Sequence, residues 1–240
     1  MVKVSILLAV YNNKDDILGA MQSIINQSYT DWELIIIDDC STDGTSEILC
    51  DFLANTKSNI KLLKNDKNYG VYVSLNKGLL VASGDYICRI DSDDIVADDY
   101  LKINIDILDK MPQYISTISK AERRKEHKRL SVFWGEITLF YRRSIINEIG
   151  YYDSVRFAAD TEFLYRMIKK YGNDKIHRIN KITYFAKYRE NSLTTSPDTA
   201  IDSAIRKDYM NRFRVWHAKK NFYMPFPLTE RKFIVNDKML

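Results

Sequence analysis

Four short apolar runs mark the first hundred residues: "KVSILLAVY" (3–11), "WELIIIDD" (32–39), "IKLLKN" (60–65) and "DYICRI" (85–90). None approaches the ~20 apolar residues of a membrane helix. Continuous apolarity of this length predicts strands covered on both faces. Helical patterns separate the runs. "DDILGAMQSIINQS" (15–28) repeats apolar residues at Ile17, Met21, Ile24 and Ile25. "CSTDGTSEILCDFLAN" (40–55) offers Ser41 or Thr42 as a cap before Ile48, Leu49 and Phe52, and "GVYVSLNKGLLVA" (70–82) reads as a helix despite Gly78. Strand and helix in strict alternation predict a doubly wound, mostly parallel sheet. Ligands of such sheets bind at the carboxyl ends of the strands. Acidic residues stand there twice, at Asp38 and Asp39 and again in "DSDD" (91–94).

The second half is less regular. "DDYLKINIDILDKM" (98–111) and "DTEFLYRMIKKYG" (160–172) predict amphipathic helices. "SIINEIG" (144–150) predicts a short helix ended by Gly150, and "VFWGEITLFYRR" (132–143) and "KITYFAKYR" (181–189) predict strands. The charge run "SKAERRKEHKR" (119–129) reads as an exposed loop. From Pro197 the chain turns helical and basic, then ends in "NFYMPFPL" and a polar tail. No internal repeat and no low-complexity linker interrupts it.

Charge divides the chain. Residues 1–100 hold 8 Lys and Arg against 16 Asp and Glu; residues 101–240 hold 28 against 16. The acidic half suits a metal, and the basic half suits an anionic substrate or partner, or is a solvated surface. Three cysteines without metal-ligand spacing, and no signal peptide, fit free thiols in the cytoplasm. His127, His177 and His217 lack ligand-spaced partners.

Three carboxylates within four residues, Asp91, Asp93 and Asp94, repel one another. Helix capping would need one acceptor only. A hard cation, Mg²⁺ or Mn²⁺, removes the conflict and keeps positions open for phosphate oxygens. No phosphate-cradling glycine loop and no dinucleotide fingerprint occurs, which disfavours P-loop enzymes and dinucleotide oxidoreductases.

Together, "VSILLAVYN" (4–12), "IIIDDCSTDGT" (35–45), "NYGVYVSLNKG" (68–78), "GDYICRIDSDD" (84–94), "FYRRSIINEIGYYD" (140–153) and "ADTEFLYRM" (159–167) resemble, in order and spacing, the inverting family 2 glycosyltransferases of GT-A fold. The resemblance covers roughly residues 2–195. It implies one domain over 1–200, with a nucleotide-sugar half (1–100) and an acceptor half (101–200), followed by a helical basic extension (201–240). It also implies a nucleotide-diphosphate sugar, a UDP-sugar foremost, as donor. A hydroxyl on a sugar, lipid or protein is the implied acceptor, with no nucleic acid polymer as partner.

The resemblance assigns roles residue by residue. Ala9, Val10 and Tyr11 line the base pocket. Asp39, with Asp38 beside it, bonds the base, and Asn68, Gly70 and Asn76 shape the wall near ribose and sugar. Asp91, Ser92 and Asp93 form the D-x-D motif, with Asp94 a further metal ligand. Asp160 is the general base. Trp134, Glu162 and Arg189 fall on the acceptor side; Glu162 also suits an i,i+4 pair with Arg166. The sequence departs from the family where Ala159 replaces an acid before Asp160, where Arg189 stands near a usual histidine, and in the short stretch from Met111 to Trp134. Two rival readings are a sugar nucleotidyltransferase, disfavoured because "AVYNNKDD" (9–16) lacks glycine, and a non-catalytic nucleotide-sugar-binding module. The basic C-terminal segment suits an anionic-surface contact, including a membrane's, or a solvated helix with a docked tail.

Overall fold

The computed structural model describes residues 2–56, 58–190 and 192–240. Strands β1 (Val4–Val10), β2 (Trp32–Asp38), β3 (Ile60–Lys64) and β4 (Tyr86–Arg89) alternate with helices α1 (Ile17–Ile25), α2 (Thr45–Ala54) and α3 (Val71–Val81). All four strands run parallel. Then follow β5 (Ile95–Val96), α4 (Tyr100–Lys110), β6 (Ser116–Lys125), β7 (Lys128–Trp134), β8 (Phe140–Arg142), α5 (Ile146–Ile149), α6 (Ala159–Tyr171), β9 (Ile176–Lys187) and α7 (Ala204–His217). One sheet joins both halves in the order β3-β2-β1-β4-β8-β6-β9-β5, with β7 paired to β6. This is the expected GT-A arrangement. The antiparallel β8 is the seam, paired to β4 on one side and β6 on the other.

The period of two along each strand divides the core into two layers. Leu7, Ile35, Ile37 and Ile87 point to one face, where α3, α6 and α7 supply Leu75, Phe163 and Phe213. Ile6, Leu8, Leu34, Ile36 and Cys88 point to the other, against Met21 and Ile24 of α1 and Leu101 and Leu108 of α4. Gly78 belongs inside α3 because of this packing: a Cβ there would stand 2.9 Å from Ile37 Cδ1 and 3.1 Å from Leu7 Cδ2.

Three local expectations are corrected. Neither Ser41 nor Thr42 caps α2; Gly44 does, at a positive φ of 99°, and Asp43 accepts the Thr45 amide at 3.0 Å. Residues 119–129 are no loop. They form most of the β6–β7 hairpin, where Glu122 accepts from Arg124 and Arg129. Cross-strand pairing accommodates the charges that had suggested solvent, while Ala121 is fully buried. The single strand expected over 132–143 breaks after Trp134 into a 3₁₀ turn, Glu136–Thr138, before β8. The short Met111–Trp134 stretch is therefore spent on this hairpin.

Helix α7 packs Tyr209, Phe213 and Trp216 inward, with Phe213 beside Tyr165 of α6 at 5.7 Å between centroids. The following segment docks through Met224, which bonds the backbone of Ile149 and Tyr151. No helix among the described residues is long and apolar enough to cross a membrane.

Candidate active site

Three adjoining cavities run from the carboxyl ends of β1, β2 and β4 to the β6–β7 hairpin and helices α6 and α7. The first, about 330 Å³, is walled by Ala9, Val10, Tyr11, Asp39, Asn68, Gly70 and Arg156. The second, about 280 Å³, shares Ala9, Val71 and Leu193 with it and adds Tyr72, Arg89, Asp91, Ser92, Asp93 and Asp160. The third, about 300 Å³, shares Ile137, Ala158, Asp160, Thr194 and Arg206 with the second and continues to Arg123, Phe133, Glu136 and Tyr165. Asp160 stands where the second and third meet.

The sequence folds Asp160 into that place through a constrained turn. Ala158 adopts a left-handed conformation, φ 66° and ψ 7°, at the start of α6. A side chain there costs on the order of 1 kcal/mol. Asp160 is not the cap residue; it lies in the first turn of α6, where the helix dipole favours an anion. Its Oδ1 accepts the Thr161 amide at 2.8 Å and its Oδ2 accepts from Arg89 Nη2 at 2.8 Å. Burial pushes its carboxyl up, but the Arg89 charge, the Tyr72 hydroxyl and the Thr161 amide outweigh that and hold it below the usual value.

Arg89 is the group that sequence reading missed. It ends β4, buried, with its Nε 3.8 Å from Asp91 Oδ1 and without a hydrogen bond. The guanidinium thus bridges the Asp91 carboxylate and that of Asp160, which is 71 residues from Arg89 in the chain. One signal could have found it: an arginine inside an otherwise apolar buried run needs an anion. Arg156 and Arg206 gave no comparable signal. Arg156 enters the first cavity and donates to Asn68 Oδ1 at 3.0 Å.

The three strand-end acids separate. Asp91 and Asp93 line the second cavity, and Asp94 does not. Asp94 is buried and accepts the Lys187 amide at 2.8 Å. Burial, with the charges of Asp91 and Asp93, pushes its carboxyl well up. No group of three acid, histidine or cysteine side chains among the described residues is poised around a common metal position. A closed protein cage for a cation is therefore absent there. Asp91 and Asp93, sharing one open cavity, still suit a magnesium-type ion, which takes one or two carboxylates and fills its other positions with water and phosphate oxygens. Burial and Asp91's charge raise the Asp93 carboxyl, the conflict that a cation relieves. Asn13 holds the intervening Ser92, donating to its hydroxyl at 2.9 Å.

Other expected residues are committed to the fold. Asp39 accepts from Asn65 Nδ2 at 2.7 Å and from the amides of Tyr69 and Gly70 at 3.0 and 2.8 Å. It shapes the first cavity by clamping the 65–70 loop, whose Gly70 has a φ of 88°. Asp38 is buried and accepts the Ser41 amide. Asn76 exchanges two hydrogen bonds with the Tyr152 backbone and lines none of the three cavities.

The acceptor-side expectations also move. Glu162 and Arg166 are fully buried and paired at 2.8 Å, with His217 on Glu162 at 2.8 Å and Arg166 on backbone carbonyls. They tie α6 to α7 away from the cavities. Arg189 pairs with Asp93 through Nε at 2.9 Å and reaches Asp16 and Asn13 with Nη2. It offsets part of the Asp93 charge and does not line the third cavity. Trp134 is 42% exposed, with Lys120 above its ring. Strand alternation turns Phe133, not Trp134, onto the cavity wall. Glu136, from the 3₁₀ turn, supplies a second carboxyl beside Asp160 that Ala159 cannot. Burial and the Asp160 charge push Glu136 up.

Solved structures share the architecture. S. aureus TarS 1–349 in complex with UDP-GlcNAc superposes with a TM-score of 0.65 at 24% identity, over 79% of this chain and 60% of that one. Among curated proteins, poly-beta-1,6-N-acetyl-D-glucosamine synthase of Staphylococcus epidermidis is 28% identical over 182 residues, 65% of this chain and 43% of its own length. Glycosyltransferase GlyG of Streptococcus pneumoniae is 32% identical over 99 residues, 41% of this chain and 33% of its own. The chain thus spans less than half the length of these curated relatives. The sequence model of glycosyl transferase family 2 matches residues 5–169, from the first strand through the helix that carries Asp160. That match takes in well over half of the sequence, and the chain belongs to glycosyl transferase family 2.

Proposed function

We propose that the chain moves a sugar from a nucleotide-diphosphate sugar to a hydroxyl acceptor with inversion at the anomeric carbon. The observation that carries this reading is the position of Asp160 at the junction of two cavities, one holding Asp91 and Asp93 and the other open to an acceptor. A UDP-sugar is the first donor to test, because the TarS neighbour was solved with UDP-GlcNAc.

Tyr11 offers an aromatic face to the base in the first cavity, which Asn68 and Arg156 also line. The sugar and diphosphate lie in the second. Asp91 and Asp93 are the residues that would hold a divalent cation, which when bound neutralises charge on the departing diphosphate. Asp160 takes the proton from the acceptor hydroxyl as that oxygen attacks from the third cavity, in line with the leaving group. Arg89 keeps Asp160 ionised and fixes its direction. An acid held low is a weak base at rest. The hydroxyl becomes acidic only as its bond to carbon forms, so proton transfer late in the attack suits it. Such general-base help is worth ~10²–10⁴-fold in rate.

The test is nucleotide release from a panel of UDP-sugars with Mn²⁺ and with EDTA, in the parent and in Asp160→Asn. Release and transfer by the parent, with transfer down at least about a hundredfold in the variant at unchanged UDP affinity, are expected. The variant's melting temperature should fall, because Asn leaves the Arg89 charge without its closest partner. Transfer near the parent rate in Asp160→Asn would mean that the base is another group, Glu136 first. UDP affinity equal in Mn²⁺ and in EDTA would remove the cation from the reading.

A further inference from the structure

The third cavity has largely apolar and aromatic walls, yet two arginines enter it from different elements, Arg123 from β6 and Arg206 from α7. Arg123 has neither an ion pair nor a side-chain hydrogen bond among the described residues. Its guanidinium lies over the Phe133 ring, 5.1 Å from the centroid. The neighbouring Arg124 and Arg129 behave differently, since both are held by Glu122. Arg206 is 9% exposed. Its Nε donates to the Thr199 carbonyl at 2.6 Å and its Nη2 to the Leu193 carbonyl at 2.8 Å. Nη1 has no partner among the described residues, and no carboxylate pairs with the group.

A buried cation without an anion is costly, and a ligand anion removes that cost. Neither acid of the cavity bonds either arginine among the described residues. Asp160 pairs with Arg89 at 2.8 Å, Glu136 forms no ion pair, and both act on Arg206 only through space. Two cations therefore face a space bounded by Phe133 and Tyr165, whose faces suit the C–H surface of a sugar ring.

Resting on the transferase reading above, we propose that the acceptor carries an acid group, a carboxylate or a phosphate, close to the attacking hydroxyl, and that Arg123 and Arg206 bind it. Arg206 borders both the second and third cavities and could also meet a donor phosphate. Arg123 borders the third alone, so it separates acceptor from donor. The guanidinium fork suits both acids.

The experiment measures binding of matched probes to the full chain saturated with UDP: p-nitrophenyl β-D-glucuronide against p-nitrophenyl β-D-glucoside, and glucose 6-phosphate against glucose. The acidic member of at least one pair should bind about tenfold or more tightly. The pair that shows the preference tells carboxylate from phosphate. Arg123→Glu should erase the preference, and Arg123→Gln should give most of the same loss if the reversed charge unfolds the hairpin. Arg123→Lys should retain part of it. Equal binding within both pairs, or a preference that survives Arg123→Gln, overturns the inference. Binding of UDP and of UDP-sugars by the parent, measured by calorimetry without any acceptor probe, reports on the transferase reading separately. Binding of none of them would sink that reading, while the anion preference would still be judged from the probe pairs alone.

Discussion

The two halves of the sheet treat their charged groups differently. In residues 1–100 strands β1 to β4 are parallel and largely apolar, and several polar groups on them and at their ends are consumed by the fold. Asp38, Asp39 and Asn76 hold turns and loops, and Glu33 holds the start of β4 through Ser83 and the β3 strand through Lys61. In residues 101–240 the strands mix directions and the backbone turns sharply, in the 3₁₀ turn Glu136–Thr138 and again at Ala158. There the uncommitted charges face a cavity: Arg123, Arg206 and Glu136. On the proposed reading, the regular scaffold serves the donor and the irregular one the acceptor. Asp160, the proposed base, belongs to the second half but takes its charge partner Arg89 from the first.

Breaking the seam between the halves should have the largest effect. Arg89→Met leaves the largely enclosed Asp160 without its cation, and such a loss costs up to about 3–5 kcal/mol. Denaturant melts of parent and variant at neutral pH measure it. The sign with pH follows from the Asp160 shift. Its carboxyl is held low in the folded chain, so the pair stabilises above the ordinary carboxylate pKa and that contribution is lost as pH falls through the folded value. Without Arg89 the Asp160 pKa rises, and the acid limb of kcat/KM should move to higher pH. An unmoved limb would uncouple Arg89 from the base.

A smaller effect tests whether Glu33, a charge of the first half spent on the fold, is separate from the site. Burial pushes Glu33 up, but Lys61, Ser5 and Ser83 overcome it and hold the carboxyl at about 2. Stability from this group is present above the unfolded value near 4.5 and drains away as pH falls toward 2. The shift corresponds to about 3 kcal/mol at most. Glu33→Gln should flatten that part of the stability–pH curve while leaving UDP affinity unchanged; weakened UDP binding would show that the two roles are not separate.

The smallest effect concerns one step of strand register. Trp134→Ala, on the solvent face of β7, should change stability by no more than about 0.5 kcal/mol. It should leave acceptor KM unchanged, whereas Phe133→Ala should raise it. Equal effects of the two on acceptor KM would mean that both faces of β7 meet the acceptor.

Much of this was written locally. Apolar runs with period two, helical spacing between them and carboxylates at the strand ends determine the parallel layer and the side on which ligands gather, because these signals act within one element. Asp160 is legible in the same way, as an acid in the first turn of a helix anchored by Phe163 and Met167. The β6–β7 hairpin was not, since its charges look solvated until Glu122 meets Arg129 across the turn. Nor could the sequence divide the acids of "DSDD": Asp91 and Asp93 face the cavity, while Asp94 is claimed by the amide of Lys187, 93 residues away. Arg206 reads as an ordinary basic residue until burial leaves it with backbone carbonyls alone, and the sequence says that Arg89 needs an anion but not that Asp160 supplies it. A charge in water is satisfied anywhere along the chain. Once folding removes the water, its role is set by whichever group packs beside it, and only the tertiary structure decides which group that is.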